Sequence, residues 1–541
     1  MLSCVDNTAQ CLYTVFMKYQ LLQKHFGYAS FRQGQEELVD AILAGRDVLG
    51  IMPTGSGKSI CYQLPALILG GITLVISPLI SLMKDQVSAL KQNGVAAAYL
   101  NSSLTTGQFR KALANARAGL YTVIYVAPER LASPEFIGFA QEARIPLIAV
   151  DEAHCVSQWG HDFRPSYLEI HRFIDALPRR PVLAAFTATA TERVGQDIES
   201  LLALREPLKL VTGFNRTNLF FEVRQVTAKD KPRHLLAVAE ALRGQSGIVY
   251  CATRKHVMEM CALLNQHGHQ AAAYHAGLED EVRRASQDAF LFDEKPLMVA
   301  TNAFGMGIDK SNVSFVVHYN MPKDIESYYQ EVGRAGRDGA PARCVLLYSK
   351  NDVVINNYFI DRAFENDEQS QEQRELTRSE ARRRLREMTF LSTSKGCLRG
   401  RILRYFGEEP PARCGACGSC APEDCLPVTL PKASEALPQR QPRRGLDGKP
   451  ARAAGSRAAL AALAADEELY EQLSRLRGQI AKLQKTPAYV VFSNATLIDM
   501  CAKKPGTRQE MLRVSGVGEQ KLRLYGDLFL QAIGRWRGET R

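Results

Sequence analysis

No apolar run in the sequence approaches the ~20 residues needed for a membrane-crossing helix. The first sixteen residues have neither a basic start nor the clean hydrophobic stretch of a secretory signal. A membrane-spanning or exported protein is therefore not expected. The regular pairing of a disulfide-stapled chain is also missing. Of thirteen cysteines, Cys4, Cys11, Cys61, Cys155, Cys251, Cys261, Cys344 and Cys501 stand singly, and five crowd between Cys397 and Cys425. Scattered thiols suit a reducing compartment, so a cytoplasmic setting is expected. The rest is ordinary globular composition, 46% hydrophobic and 23% charged. At 541 residues the chain outgrows a single core, which stops near ~250–300 residues, so several domains are expected.

The net charge of +11 is uneven: residues 361–541 carry 32 basic and 23 acidic side chains, the first 360 residues 36 and 34. A basic rear portion suits a polyanion, because each neutralised phosphate releases condensed counterions. A solvated basic surface explains the charge equally well. Short β-branched runs recur through the first 350 residues, at Asp47–Ile51, Thr73–Ile76, Thr122–Val126, Leu147–Val150, Val182–Phe186, Gly247–Tyr250, Leu297–Ala300 and Val313–Val317. Helical stretches separate them, which predicts an α/β fold of parallel sheets with ligands at the carboxyl ends of the strands. A seam is expected near Leu204–Asn218. The expected divisions are a disordered leader (1–16), a first parallel-sheet lobe (17–208), a second (209–345), a helical cysteine-bearing module (346–425), a basic flexible linker (426–465) and a small all-α domain (466–541).

The segment "DVLGIMPTGSGKS" ends a strand in a glycine-rich turn that opens a helix. Backbone N–H groups across Thr54, Gly55, Ser56 and Gly57 can cradle phosphates there, with Lys58 reaching the β- and γ-phosphates of a nucleotide and Ser59 holding Mg²⁺. Met52 stands where the strict phosphate-loop pattern has its first glycine. About ninety residues on, "LIAVDEAH" delivers two adjacent carboxylates: Asp151 suits Mg²⁺, and Glu152 suits activation of the attacking water. "QEVGRAGRDG" offers Gln330, Arg334 and Arg337, the arginines spaced for one helical face, where a guanidinium can stabilise the γ-phosphate in the transition state. Cys397, Cys414, Cys417 and Cys420 give C-x16-C-x2-C-x2-C, a spacing suited to tetrahedral Zn²⁺; Cys425 is a possible substitute ligand and an iron–sulfur cluster a rival occupant.

The ordered set "FGYASFRQGQEE", "MPTGSGKS", "VISPLISLMKDQV", "VDEAHCVSQWGHDFRPSY", "FTATAT", "YHAGL", "NAFGMGIDK" and "SYYQEVGRAGRDG" resembles superfamily 2 helicases, and within them RecQ DNA helicases, over residues 26–339. The resemblance implies two tandem RecA-like lobes and a 3′–5′ DNA motor serving recombination and repair. It implies that Tyr28, Arg32 and Gln35 read adenine, and that Thr187 to Thr189 couple ATP state to movement. Gly305, Gly307 and Asp309 then face nucleotide and DNA backbone. It also identifies His154–Tyr167 as the family's aromatic-rich loop. Trp159 and Phe163 can stack on unpaired bases, with His154 and Arg164 beside them; filling an ordinary core is the plainer role for both rings. The cysteine cluster resembles the family's zinc module and the terminal segment its HRDC domain, with Val490, Val491, Phe492, Leu497, Met500, Met511, Leu512, Leu522 and Leu528 as core. The glycines of "VSGVGEQK" are expected to approach a phosphate backbone or a protein partner. The winged-helix domain usual between these modules is expected to be absent. Single-stranded and branched DNA are the expected partners, a single-strand-binding protein a further candidate, and a monomer the expected state. A DNA-annealing or remodelling scaffold and an RNA helicase are the alternatives.

Overall fold

A computed structural model describes residues 16–160, 162–304, 310–363, 371–427, 429–431, 466–484, 486 and 488–538. The expected leader (except Phe16), nearly all of the expected linker, His161, and Gly305, Gly307 and Asp309 lie outside the described residues. The chain forms two compact units: one of residues up to Phe214 with those from Val490 onward, the other from Asn215 to Tyr489.

The first unit holds a seven-stranded sheet: β1 (Val48–Ile51), β2 (Thr73–Ile76), β3 (Ala97–Leu100), β4 (Val123–Val126), β5 (Leu147–Val150), β6 (Val182–Thr187) and β7 (Leu208–Val211), in the order β3-β4-β2-β5-β6-β1-β7. All pairs are parallel. The runs VLGI, TLVI, VIYV and LIAV are wholly buried, as strands covered on both faces must be. This order puts the carboxyl ends of β1 and β5 on either side of β6, with Ile51 beside Thr187 and Val150 beside Ala185. Three motifs far apart in sequence therefore emerge at one edge. Helices α1 (Gln35–Leu43) and α2 (Ile60–Leu69) flank β1, and α3 (Glu192–Leu201) follows β6.

The second unit holds β8 (Leu219–Gln225), β9 (Gly247–Tyr250), β10 (Ala271–Tyr274), β11 (Leu297–Ala300), β12 (Phe315–His318) and β13 (Ala342–Tyr348), ordered β10-β11-β9-β12-β13-β8 and again parallel. Helix α4 (Ile325–Val332) lies between β12 and β13; α5 (Lys350–Ala363), α6 (Gln371–Thr393) and α7 (Leu398–Tyr405) follow. Two expected boundaries cut strands. The one at 208 falls on β7, which pairs with β1 inside the first sheet, and the one at 345 falls within β13.

The expected terminal helical domain is divided between the units: α8 (Glu467–Gln484) belongs to the second, α9 (Asn494–Lys503) and α10 (Asp527–Arg537) to the first. In the first unit Phe492 packs against Tyr525 and Phe529, with ring centroids 5.9 and 4.9 Å away. Leu528, expected in this core, is 45% exposed, and its neighbour Phe529 takes the inward position. The glycine hairpin rests on protein backbone. Gly516 N donates to Gly27 O at 2.8 Å and Gln23 Nε2 to Leu512 O at 2.9 Å. A Cβ on Gly27 would lie 2.4 Å from Val517 N, and one on Gly518 2.5 Å from Lys24 O, so these contacts need glycine. No helix among the described residues is long and apolar enough to cross a membrane.

Candidate nucleotide site, zinc centre and aromatic loop

The loop between β1 and α2 turns through Gly55 and Gly57 at φ 84° and 85°, a left-handed conformation that favours glycine. A turn that aims its N–H groups at a ligand sends its carbonyls back into the protein, where each needs a donor. Arg32 Nη1 donates to Gly55 O at 2.7 Å, and Gln35 Nε2 to Ser56 O and Gly57 O, both at 3.1 Å. Gln35 Oε1 accepts from Arg32 N at 2.8 Å, which fixes the amide's orientation, and the Arg32 guanidinium lies 6.0 Å from the Tyr28 ring centroid. Lys58 Nζ donates to Met52 O at 3.0 Å, so its ammonium is held at the mouth of the loop. Ser59 stands directly before α2, and the buried Ser56 Oγ has no hydrogen-bond partner among the described residues. An orphaned hydroxyl in a glycine cradle beside a lysine fits a triphosphate.

At the end of β5, Asp151 is buried, its Oδ1 accepting from Glu152 N at 3.0 Å and its carbonyl from Tyr167 Oη at 2.9 Å. Burial pushes its carboxyl up to about 7, the Glu152 charge adding and Lys58 opposing. A carboxylate so costly to ionise fits a divalent cation, which offsets that cost. Glu152 takes a left-handed backbone (φ 48°) unusual for a non-glycine residue. Its carboxylate lies 3.4 Å from His154 Nδ1, and the same nitrogen hydrogen-bonds Thr187 Oγ1 at 2.9 Å. Burial lowers the His154 pKa, so the imidazole is neutral near pH 7.

The aromatic loop follows directly. Trp159 N donates to Ser157 Oγ at 3.1 Å, and a Cβ on Gly160 would strike His154 O at 2.5 Å. Arg164 pairs with Asp162 at 3.0 Å and donates to Pro78 O at 3.1 Å. Trp159 and Phe163 are half-buried rather than core.

In the second unit, Gln330 on α4 and Arg334 just after it are buried. Arg334 and Arg337 do not share a helical face as expected. Helix α4 ends at Val332, and both lie in the turn that follows. A residue pair the motifs had not singled out shapes that turn. Arg216 donates to Gly333 O, Ala335 O and Gly336 O (3.4, 3.0 and 2.7 Å), and Asn218 Nδ2 to Gly336 O and Ala340 O (2.9 and 2.8 Å). Arg399 on α7 in turn donates to Asn215 Oδ1 at 3.0 Å and to the carbonyls of Arg216 and Leu219. The signal was present in "GFNRTN", a polar pair inside a linker, but its partners lie more than a hundred residues on.

Two residues before Arg399, Cys397 caps α7 and joins Cys414, Cys417 and Cys420, the four Sγ atoms all within 4.8 Å of one another. Tetrahedral Zn–S bonds of about 2.3 Å bring sulfurs close to this spacing. Cys425 is outside the group. Gly418 N donates to Phe221 O at 2.8 Å, seating the cluster on β8.

Family models match in chain order: DEAD/DEAH box helicase at 32–198, helicase conserved C-terminal domain at 230–339, RecQ zinc-binding at 350–421 and HRDC domain at 466–533. The chain is 39% identical to the ATP-dependent DNA helicase RecQ of Bacillus subtilis, over 95% of this chain and 98% of that protein. The chain belongs to the RecQ family. Identity to the Pasteurella multocida RecQ helicase is 36% over 95% of this chain and 93% of that one. The helicase SGS1 of Saccharomyces cerevisiae matches at 40%, over 72% of this chain but 27% of its own length. Solved structures share the fold at low identity. The DEAD-box helicase Mss116 gives a TM-score of 0.52 at 18% identity, over 69% of this chain and 85% of that one. The RecQ zinc-binding match covers all four cysteines, whose cluster fits zinc.

Cys417→Ser should lower bound zinc from about one per chain to near none and reduce Tm, because structural zinc binding is folding free energy. Elemental analysis and a thermal melt check this. Arg216→Lys should keep the fold but lower kcat for ATP by roughly 10- to 100-fold with KM little changed, as misplaced catalytic groups do. Steady-state ATPase kinetics would show the split.

Proposed function

We propose that this RecQ-family chain hydrolyses ATP to drive 3′–5′ movement along single-stranded DNA, opening duplex or branched DNA during recombination and repair. The observation that carries the reading is the junction at Asp151–Thr187. There the Glu152 carboxylate and Thr187 Oγ1 both meet the buried imidazole of His154, which opens the aromatic loop.

Tyr28, Arg32 and Gln35 hold the adenine. Backbone N–H groups from Thr54 to Gly57 cradle the phosphates, and Lys58 leaves its Met52 carbonyl to pair with them. Ser59 and Asp151 would hold Mg²⁺, which when bound neutralises β- and γ-phosphate charge. Glu152 takes the proton of the attacking water. Gln330, Arg334 and Arg337 supply donors for the transferred phosphoryl group, a contribution of roughly 10³–10⁵ in rate in related NTPases. Gly307 and Asp309 complete the nucleotide contacts. Bases stack on Trp159 and Phe163, worth ~1–3 kcal/mol each, with Arg164 and His154 fixing the loop. The protein works as a cytoplasmic monomer, nucleoid-associated if bacterial, with single-strand-binding protein as a candidate partner. Only residues 422–465 separate the zinc-binding and HRDC matches. That is short for a typical domain of about 100 residues, so base pairs are opened without a winged helix.

Lys58→Ala should reduce ATP turnover by at least about 100-fold, the scale set by losing a positioned phosphate charge, while the protein still binds single-stranded DNA. Malachite-green ATPase and fluorescence anisotropy would report the two. Trp159→Ala should cut stimulation of ATPase by DNA about tenfold or more, the loss of one stacked base. Titration with oligothymidylate measures this, and unchanged stimulation removes the stacking role. Strand displacement on a 3′-tailed DNA duplex, with an all-RNA duplex alongside, tests the motor. DNA-stimulated ATPase without displacement would favour the scaffold reading, and equal RNA unwinding the RNA-helicase one.

A further inference from the structure

The half-buried Trp159 is covered on one face. Arg193, exposed in the first turn of α3, lays its guanidinium over the indole with Cζ 3.6 Å from a ring centroid. Cation–π contacts count out to about 6 Å, so this is close stacking. The covering residue is itself exposed, so the face it hides is the one turned to solvent. Loop and helix are pinned alongside: Ser157 Oγ donates to Asp197 Oδ2 at 2.5 Å and accepts from Trp159 N. Arg193 and Asp197 are four residues apart and share one face of α3. That helix is capped by Thr191, whose hydroxyl accepts from Val194 N, directly after the Thr187–Ala190 turn that touches His154.

We propose that Arg193 is a displaceable cap on Trp159, occupying the stacking face until a DNA base takes it. The proposal deepens the stacking role given to Trp159 and rests on it. A planar guanidinium has the shape and polarity of a stacked base, and each approaching base must replace it. Once displaced, its charge is free for a strand phosphate, so the cap sets how much DNA is needed to engage the loop. The Ser157–Asp197 bond keeps loop and helix together when the cap leaves, so base stacking is felt at the start of α3.

Arg193→Lys decides the matter, because lysine keeps the charge but not the planar stack. The chain has two tryptophans, Trp159 and Trp536, so a Trp536→Phe background isolates the first. Arg193→Lys in that background should raise acrylamide quenching of Trp159 fluorescence. It should also lower the oligothymidylate concentration for half-maximal ATPase by about two- to fivefold, the factor an exposed cation–π contact is worth. Arg193→Ala should raise quenching at least as much. Unchanged quenching, or half-saturation in Arg193→Lys that stays level or rises, overturns the cap. If Trp159→Ala leaves DNA stimulation intact, the stacking role fails instead, and the quenching result still reports whether Arg193 covers the ring.

Discussion

One buried imidazole ties the first unit together. His154 is 1% exposed and neutral, and its Nδ1 meets both Thr187 Oγ1 and the Glu152 carboxylate. Burial lowers the His154 pKa, and the contact with Glu152 rests on geometry. The ends of β5 and β6 are thereby joined through one side chain. Thr187 Oγ1 also accepts from Thr189 N at 3.3 Å, which locks the turn leading to α3. On its other side His154 carries the aromatic loop, whose Gly160 packs against the His154 carbonyl. A change in the loop is thus a change in the surroundings of Glu152, without any long path between them.

Both units solve the same problem with the same device. A tight turn that offers N–H groups or side chains to a polyanion leaves carbonyls facing inward, and unsatisfied ones cost on the order of 1–3 kcal/mol each. Arg32 and Gln35 serve the phosphate loop in this way, and Arg216 and Asn218 serve the arginine turn. Multi-donor side chains suit the task because one residue holds several carbonyls in fixed relation. In the second unit the device is extended, since Arg399 holds the carbonyl of Arg216 and stands two residues from a zinc ligand. The zinc cluster therefore does more than close a loop. Its Cys397 caps α7, whose Arg399 holds Arg216, which in turn shapes the turn after α4.

Much of this was legible in the sequence where the signal is local. The glycine–lysine loop, the Asp151–Glu152 pair and the four cysteines are each specified within a short window, and the structure brings Arg32 and Gln35 to the phosphate loop and the four thiols to one another. Strands β3, β7, β8, β10 and β13 were not among the runs the sequence singled out. Those such as AAYL and AAAY are alanine-rich, while β7 alternates as an edge strand does. The arginines after α4 read as helical because their spacing fits a helix, but Gly333 and Gly336 end it, Gly336 at φ 59°. Leu528 and Phe529 were exchanged because a phase error of one residue rotates a helix by about 100°. The roles of Arg216 and Arg399 could not be seen, since backbone carbonyls leave no trace in sequence.

The basic rear portion changes meaning once its partners are known. Two readings of its charge were open, a polyanion surface and a solvated one. Lys503 donates to Asp499 and to Arg513 O, Arg508 pairs with Asp527, and Lys504 sits 4.4 Å from the Trp536 ring centroid. The hairpin glycines pack on residues 23–27, with Gly516 N donating to Gly27 O. Exposed pairs of this kind contribute little to stability and are weakened by salt, so phosphates can compete for the lysines and arginines. They cannot compete for the hairpin without separating it from the segment just before Tyr28. In this conformation the terminal segment of the first unit offers side-chain charge to a polyanion and commits its hairpin to residues 23–27.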